Sequence, residues 1–192
     1  TTAANNTAVG KDALLYNTTG SANVAVGNFS LDANTTGGSN TSLGYNSLST
    51  NTTAANNTAV GYNSLNLNTT GTRNTATGID SLKANTTGSD NTAFGGYALS
   101  LNTTASQNTA FGRSAMAETT TGANNVGIGY VALTANTTGA GNTALGFQAL
   151  TTNILASGST AVGFRALATH NVGSAALTYN TAVGYDAGLA VT

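Results

Sequence analysis

A short motif returns along this chain at a fixed interval, and that interval limits the fold more than any other property. Units open at Asn6, Asn23, Asn40, Asn57, Asn74, Asn91, Asn108, Asn125, Asn142, Ser159 and Asn180; nine successive spacings are 17 residues and the last is 21. Such self-similarity marks an architecture in which each unit contacts only its neighbours. One unit, Asn57 to Arg73, reads NTAVGYNSLNLNTTGTR. The whole chain, 1–192, is therefore read as a single repeat array. It opens and closes inside a unit, so a segment of a longer protein is expected.

Numbering each unit 1 to 17 from its opening residue brings out the fixed positions. Position 4 is apolar in ten of eleven units (Val9, Val26, Leu43, Val60, Phe94, Phe111, Ile128, Leu145, Val162 and Val183), with Thr77 the exception. Position 5 is Gly throughout, position 8 is Ala or Ser, and position 9 is Leu except for Met116 and Gly188. Positions 12 to 15 read Asn-Thr-Thr-Gly or Asn-Thr-Thr-Ala in seven units.

The charges obey the same register. Only 11 residues of 192 are charged, against about a quarter in an ordinary domain. They occupy positions 6, 7, 10, 11 and 17 and avoid positions 1 to 5, 8 and 9. Charges resist burial, so the fixed positions are expected to face in, with large core side chains at 4 and 9. A net charge of −1 and no basic stripe argue against a nucleic-acid partner. No apolar run approaches the length of a membrane span, so no membrane insertion is expected of this segment. The absence of Cys is neutral about redox compartment, because a repeat array needs no staples.

A unit of 17 residues is too short for a helical hairpin repeat, and it is rich in helix-disfavouring Asn, Thr and Gly. Thr-Ala-Val-Gly-Tyr alternates as a short strand does. The Gly at position 5 and the Asn-Thr-Thr-Gly turn supply two bends. The expected fold is all-β: a parallel β-solenoid with one coil per unit and two short strands per coil. Stacking would align Asn columns at positions 1 and 12 as side-chain ladders, with Thr columns at 2, 13 and 14. Two large apolar side chains per coil make a thin core. An aromatic column at position 6, formed by Tyr45, Tyr62, Tyr130, Phe147, Phe164 and Tyr185, is read as the seam of a homotrimer or as a glycan-contacting surface.

The phrase Asn-Thr-Ala-Val-Gly-x-x-Ala-Leu resembles the Val-Ala-Ile-Gly-x-x-Ala repeat of YadA-like trimeric autotransporter adhesin heads, and it is similar to stalk repeats of phage tail fibres. The match runs nearly the length of the chain and rests on the Gly at position 5 and the small residue at position 8. The unit is longer than the family's, and the excess is placed in the Asn-Thr-Thr-Gly turn. The resemblance implies a left-handed β-roll, three chains to a bundle, on a cell surface or virion, with self and a host glycan or protein as partners.

The implied function is a structural and adhesive extracellular fibre segment without catalysis or cofactor. A scaffold filament subunit and an ice-binding solenoid are the alternatives. His170, the single His, has no acid or Cys clustered with it and is read as a surface loop residue. Six scattered carboxylates make no calcium site. Asn17, Asn34, Asn51, Asn68, Asn85, Asn102 and Asn136 each begin an Asn-Thr-Thr sequon, read either as a row of glycosylation acceptors or as laddered turns. Near the end, Asn153-Ile154-Leu155-Ala156 replaces the polar turn, and the next unit is four residues longer. The extra residues are expected to bulge outward over 168–179 and to cover Ile154 and Leu155, or else to be a register adjustment.

Overall fold

A computed structural model of the chain describes residues 2–170 and 177–189. Those residues form a parallel β-solenoid without helix. Eleven strands of three residues, β1 (Thr7–Val9) to β11 (Thr181–Val183), stack in sequence order into one sheet. Each residue pairs with its counterpart one unit away, as Thr41 with Thr58, Ser42 with Ala59 and Leu43 with Val60.

Only positions 2 to 4 are strand, so each coil carries one strand and not the two expected. The cause lies in the backbone at positions 7 and 9, which is left-handed in coil after coil: Asn46, Leu48, Asn63 and Leu65 have φ between 50° and 57°. Left-handed residues cannot belong to an extended strand. The coil is nevertheless hydrogen-bonded to its neighbours almost all the way round. At position 7, Phe29 N–H donates back to Lys11 O (3.0 Å), whereas at positions 9 and 11, Leu31 donates forward to Ser47 O (3.0 Å) and Ala33 to Ser49 O (3.1 Å). Position 17, also left-handed, donates back again, as Ser39 does to Ser21 O (2.9 Å).

The interior of the coil is filled by positions 1, 3, 8, 9, 12 and 15. Its apolar half stacks the Leu column at position 9 (Leu31 to Leu167, with Met116) against small residues at 3 and 8. Its polar half is built from asparagines. At position 12, each amide donates to the carbonyl of the rung before it: Asn34 to Asn17, Asn51 to Asn34, Asn68 to Asn51, Asn85 to Asn68 and Asn102 to Asn85, at 2.8–3.1 Å. The same nitrogen donates to the carbonyl of position 15, as Asn68 Nδ2 does to Gly71 O at 2.9 Å. Position 1 works differently. Its Oδ1 accepts from the backbone N–H of the next unit's Asn (Asn57 N to Asn40 Oδ1, 3.0 Å), while its Nδ2 crosses the coil to that same position-15 carbonyl (Asn57 to Gly71 O, 2.9 Å). The Thr at position 13 adds a hydroxyl bond to the next coil's backbone, Thr35 Oγ1 to Thr52 O at 3.0 Å.

Position 4, expected inside, points out. In a strand, alternate side chains face opposite ways. The small residue at position 3 is the buried one, so positions 2 and 4 share the outer face. Val9, Leu43, Phe94, Phe111, Leu145 and Val183 are all exposed.

His170 is a second correction. It stands at position 12, the place of the ladder asparagines, and is buried there. Residues 168 to 170 therefore stay in the coil, and the outward bulge does not begin at 168. The chain is described again from Leu177, which bridges Ser157, with Thr178 N–H donating to Ser157 O at 3.0 Å. Ile154 remains 37% exposed, so the expected cover over it is absent among the described residues. The part of that expectation that falls on 171–176 lies outside them.

Two variants test this account. Gly44 has φ of 143°, and a Cβ there would stand 2.4 Å from Gly61 O. Gly44→Ala should lower the melting temperature by roughly 5 °C or more, because strain of about 1–3 kcal/mol is joined by a backbone clash. Gly141, left-handed with open space around it, should accept Asn with little change in the same melting experiment.

The ladder makes its own forecast. Thr119 interrupts it, leaving Asn102 Oδ1 and Thr119 Oγ1 without partners among the described residues. Thr119→Asn should raise the melting temperature by about 2–4 °C, the worth of roughly one hydrogen bond in a chain this size. Asn68→Asp, which keeps the shape but replaces the shared donor with an acceptor, should lower it by more than that gain.

Candidate interaction face

The outer face of the sheet carries many of the exposed large apolar side chains of the described residues. Position 2 is a Thr column with Val24 and Val126 interposed, position 4 is aliphatic or aromatic, and position 6 stands just beyond the Gly bend. Every one of the six position-6 aromatics is exposed, from Phe164 at 38% to Tyr185 at 73%. They lie in two runs of parallel rings. Tyr45 stacks on Tyr62 at 5.6 Å; Tyr130, Phe147, Phe164 and Tyr185 stack in turn at 5.6, 5.0 and 4.8 Å. Offset stacking of this kind adds to burial energy when the rings are covered.

Between the two runs, position 6 is Ile79, Gly96 and Arg113. There the aromatics move to position 4, where Phe94 and Phe111 stack at 4.9 Å. Eight of the nine coils beginning at Asn40 or later place one aromatic at position 4 or 6 with an aliphatic residue at the other, or with Gly96 or Arg113 where position 4 is Phe. The exception by composition is the Thr77–Ile79 coil. The bulk offered outward is thus kept up while the column that supplies it changes. Phe94 and Phe111 belong to this face, although sequence reasoning placed them in the core. The alternation around a buried position 3 is the signal that assigns them correctly.

The sequon asparagines sit elsewhere. Asn34, Asn51, Asn68, Asn85, Asn102 and Asn136 are fully buried, and Asn17 is partly so. In Asn34 to Asn102 both amide hydrogens are engaged, one by the adjoining rung and one by the position-15 carbonyl. A sugar on any of these nitrogens would displace one of the two bonds.

The described residues hold no group of three or more His, Cys, Asp or Glu side chains able to share a metal ion. Among the described residues no helix is long and apolar enough to cross a membrane. Ion pairs run along or within coils at the surface: Arg73 grips Asp90 of the next coil through both Nε (2.6 Å) and Nη2 (3.0 Å), Lys83 meets Asp80 at 3.5 Å, and Arg165 meets Asp186 at 3.5 Å. Arg113 is different. It lies 6.0 Å from the Tyr97 ring centre and 5.9 Å from that of Tyr130, and among the described residues no carboxylate meets it.

Two carboxylates respond oppositely to their settings. The hydrogen bonds from Arg73 hold Asp90 below the usual carboxylate range. Partial burial, with Asp12 adding repulsion, pushes the Asp32 carboxyl above it. Folded Asp32 therefore holds its proton more tightly than the unfolded chain does, and its contribution to stability falls as pH rises from below 3.8 towards neutrality. Asp32→Asn should raise the melting temperature at pH 7 and lose that advantage at pH 3, as followed by circular dichroism.

Comparison with family models, with curated proteins and with solved structures found no match for this chain.

Proposed function

We propose that this chain is a structural segment of an extracellular fibre, whose outer sheet face packs lengthwise against two further copies. The observation that carries the reading is the exposed apolar and aromatic surface at positions 4 and 6, which recurs in nearly every coil from Asn40 onward. Monomeric proteins rarely leave so large a contiguous apolar area to water, and such areas mark interfaces. A second copy fits it for a metrical reason. Its side chains recur once per coil, so a partner with the same coil spacing meets every rung in the same way, whereas a globular partner meets only a few.

Three copies, not two, are favoured by the bend at position 5. Columns 4 and 6 stand on either side of it, so each chain offers one column to each of two neighbours. A ring of three closes that head-to-tail contact. The extracellular setting, on a cell surface or a virion, is supported by the resemblance of the repeat to adhesin heads and tail-fibre stalks. Catalysis has no part in the proposal.

Ice binding draws less support. The Thr column at position 2 lies beside bulky rings rather than a second Thr column. The exposed Thr column at position 14 (Thr36, Thr53, Thr70 and Thr87 among its members) is separated from it by the inward Asn at position 1.

Sedimentation of the purified chain at micromolar concentration tests the proposal. A trimer is expected, and Tyr62→Lys combined with Phe147→Lys should convert it to monomer with its circular dichroism unchanged. A folded wild-type monomer under those conditions overturns the reading.

A further inference from the structure

Positions 4 and 6 change together, coil by coil. In the coils that open at Asn40, Asn57, Asn125, Asn142, Ser159 and Asn180, position 6 carries the ring and position 4 a Leu, Val or Ile. In the coils of Asn91 and Asn108 the ring moves to position 4, as Phe94 and Phe111, and position 6 becomes Gly96 and Arg113. Contacts within one chain do not account for this exchange. The rings stack along their own columns, Tyr45 on Tyr62 at 5.6 Å and Phe94 on Phe111 at 4.9 Å. Beyond its chain neighbours, a Cβ added at Gly96 finds only Ile79 within 4 Å, a methyl at 3.1 Å and the carbonyl oxygen at 3.9 Å.

We infer that column 4 of one copy packs against column 6 of the next with no axial offset, so that Phe94 fills the space over Gly96 of the neighbouring copy and Phe111 covers that copy's Arg113. The inference rests on the reading of the chain as a lengthwise trimer, and it names the residues that set the register of the contact.

Volume and charge select this register. From Asn40 onward, columns facing at equal coil number bring one ring and one other side chain together at every level except that of Thr77 and Ile79. The ring crosses from one chain to the other at Phe94 and returns at Tyr130, which keeps the seam evenly filled, as close packing requires. An offset of one coil in one direction sets Gly96 against Thr77, leaving a void, and Tyr130 against Phe111, two rings at one level. The opposite offset keeps the volumes but sets Arg113 against Ile128. A guanidinium covered by an aliphatic side chain loses water and gains no partner, whereas over the Phe111 ring it gains a cation–π contact.

Closure and area agree with the pairing. A ring of three returns to its starting level only if the offset is zero, and any other offset climbs into an open filament. The eight rings of the two columns are between 38% and 73% exposed. They offer about 800 Å² to each contact before their aliphatic partners are counted, against about 1,200 Å² in total for the smaller stable interfaces.

The test is sedimentation of the intact chain and its variants over a concentration series. Gly96→Tyr sets a second ring opposite Phe94 and should weaken trimer formation on the order of tenfold or more. Its circular dichroism should not change, since on its own chain the new side chain displaces only the exposed Ile79. Phe94→Leu alone empties the space over Gly96 and should weaken assembly severalfold, an outcome that does not depend on how position 96 accommodates a ring. Gly96→Tyr combined with Phe94→Leu rebuilds the pattern of Leu43 and Tyr45 and should assemble within about threefold of wild type, the non-additivity expected of residues in contact. Mixing the two singly substituted chains, one carrying a mass tag, should draw the Gly96→Tyr chain into mixed trimers seen by native mass spectrometry, which compensation inside one chain cannot do. Rescue of Gly96→Tyr by Phe111→Leu in place of Phe94→Leu reveals an offset of one coil and overturns the inference. So does either single variant that assembles like wild type, or a double variant and mixture that do not recover. Those results leave the fibre reading intact, whereas a wild-type chain that is a folded monomer overturns both.

Discussion

A buried amide that must find its partners on other coils is the constraint from which the rest of this structure follows. An unpartnered amide in a dry interior costs on the order of 1–3 kcal/mol. The position-12 side chain can satisfy its carbonyl only from the coil after it, and one of its hydrogens only from the coil before. Asn68 illustrates the arrangement: it donates to Asn51 and to Gly71 O, and it accepts from Asn85. No single coil is therefore stable alone, and each added coil completes the one beneath it. The position-15 carbonyl ties this ladder to that of position 1, since Gly71 O receives hydrogens from both Asn57 and Asn68. Such shared acceptors make the polar half of the interior one connected network rather than a set of pairs.

The backbone depends on that network. Thirty described residues other than glycine have positive φ, nearly all at positions 7, 9 and 17, and they include Val131 and every Leu of the core column from Leu14 to Leu167. Each such residue costs roughly 1–2 kcal/mol in isolation, too much for so many to persist without compensation in the same coil. The compensation is visible at the strained residues themselves, whose N–H groups bond alternately to the coil before and the coil after. The left-handed turn at position 9 also points Leu into the interior immediately after the inward residue at 8, two neighbours facing the same way, which an extended strand forbids. The strain thus gives the thin core its large side chain.

Much of this was legible in the sequence because repetition itself reports it. The period, the Gly at position 5, the Leu at 9 and the Asn at 12 recur, since their neighbours in the next coil demand them. What was misjudged was direction. Position 4 is as regularly apolar as position 9, and an apolar column reads the same whether it lines the interior or a second interface. Only the strict alternation about the small residue at position 3 separates the two cases. The absent second strand was hidden for another reason: left-handed geometry at Leu48 or Leu65 leaves no compositional trace, as leucine has no preference for it. His170 looked like a loop residue because the extra residues begin just beyond it, yet position 12 is the turn's buried first residue and the His occupies it.

The division of labour within the coil explains where function can sit. Inward positions are locked, because a change in one rung disturbs bonds in two others, as the gap at Thr119 illustrates by leaving Asn102 Oδ1 without a donor. Outward positions carry no such obligation and are free to vary. They do so in two distinct manners. On the sheet face the variation is compensated, with Phe94 and Phe111 entering column 4 where column 6 loses its rings, so that the outward bulk is maintained from coil to coil. That behaviour suits a partner that contacts every rung. On the flank at positions 7, 10 and 11 the variation is uncompensated, and Ala84, Tyr97 and the Asp80–Lys83 pair occur together once. A change that nothing else in its coil balances has no facing column to satisfy, and so the flank is the side of the rod that varies without cost to its contacts.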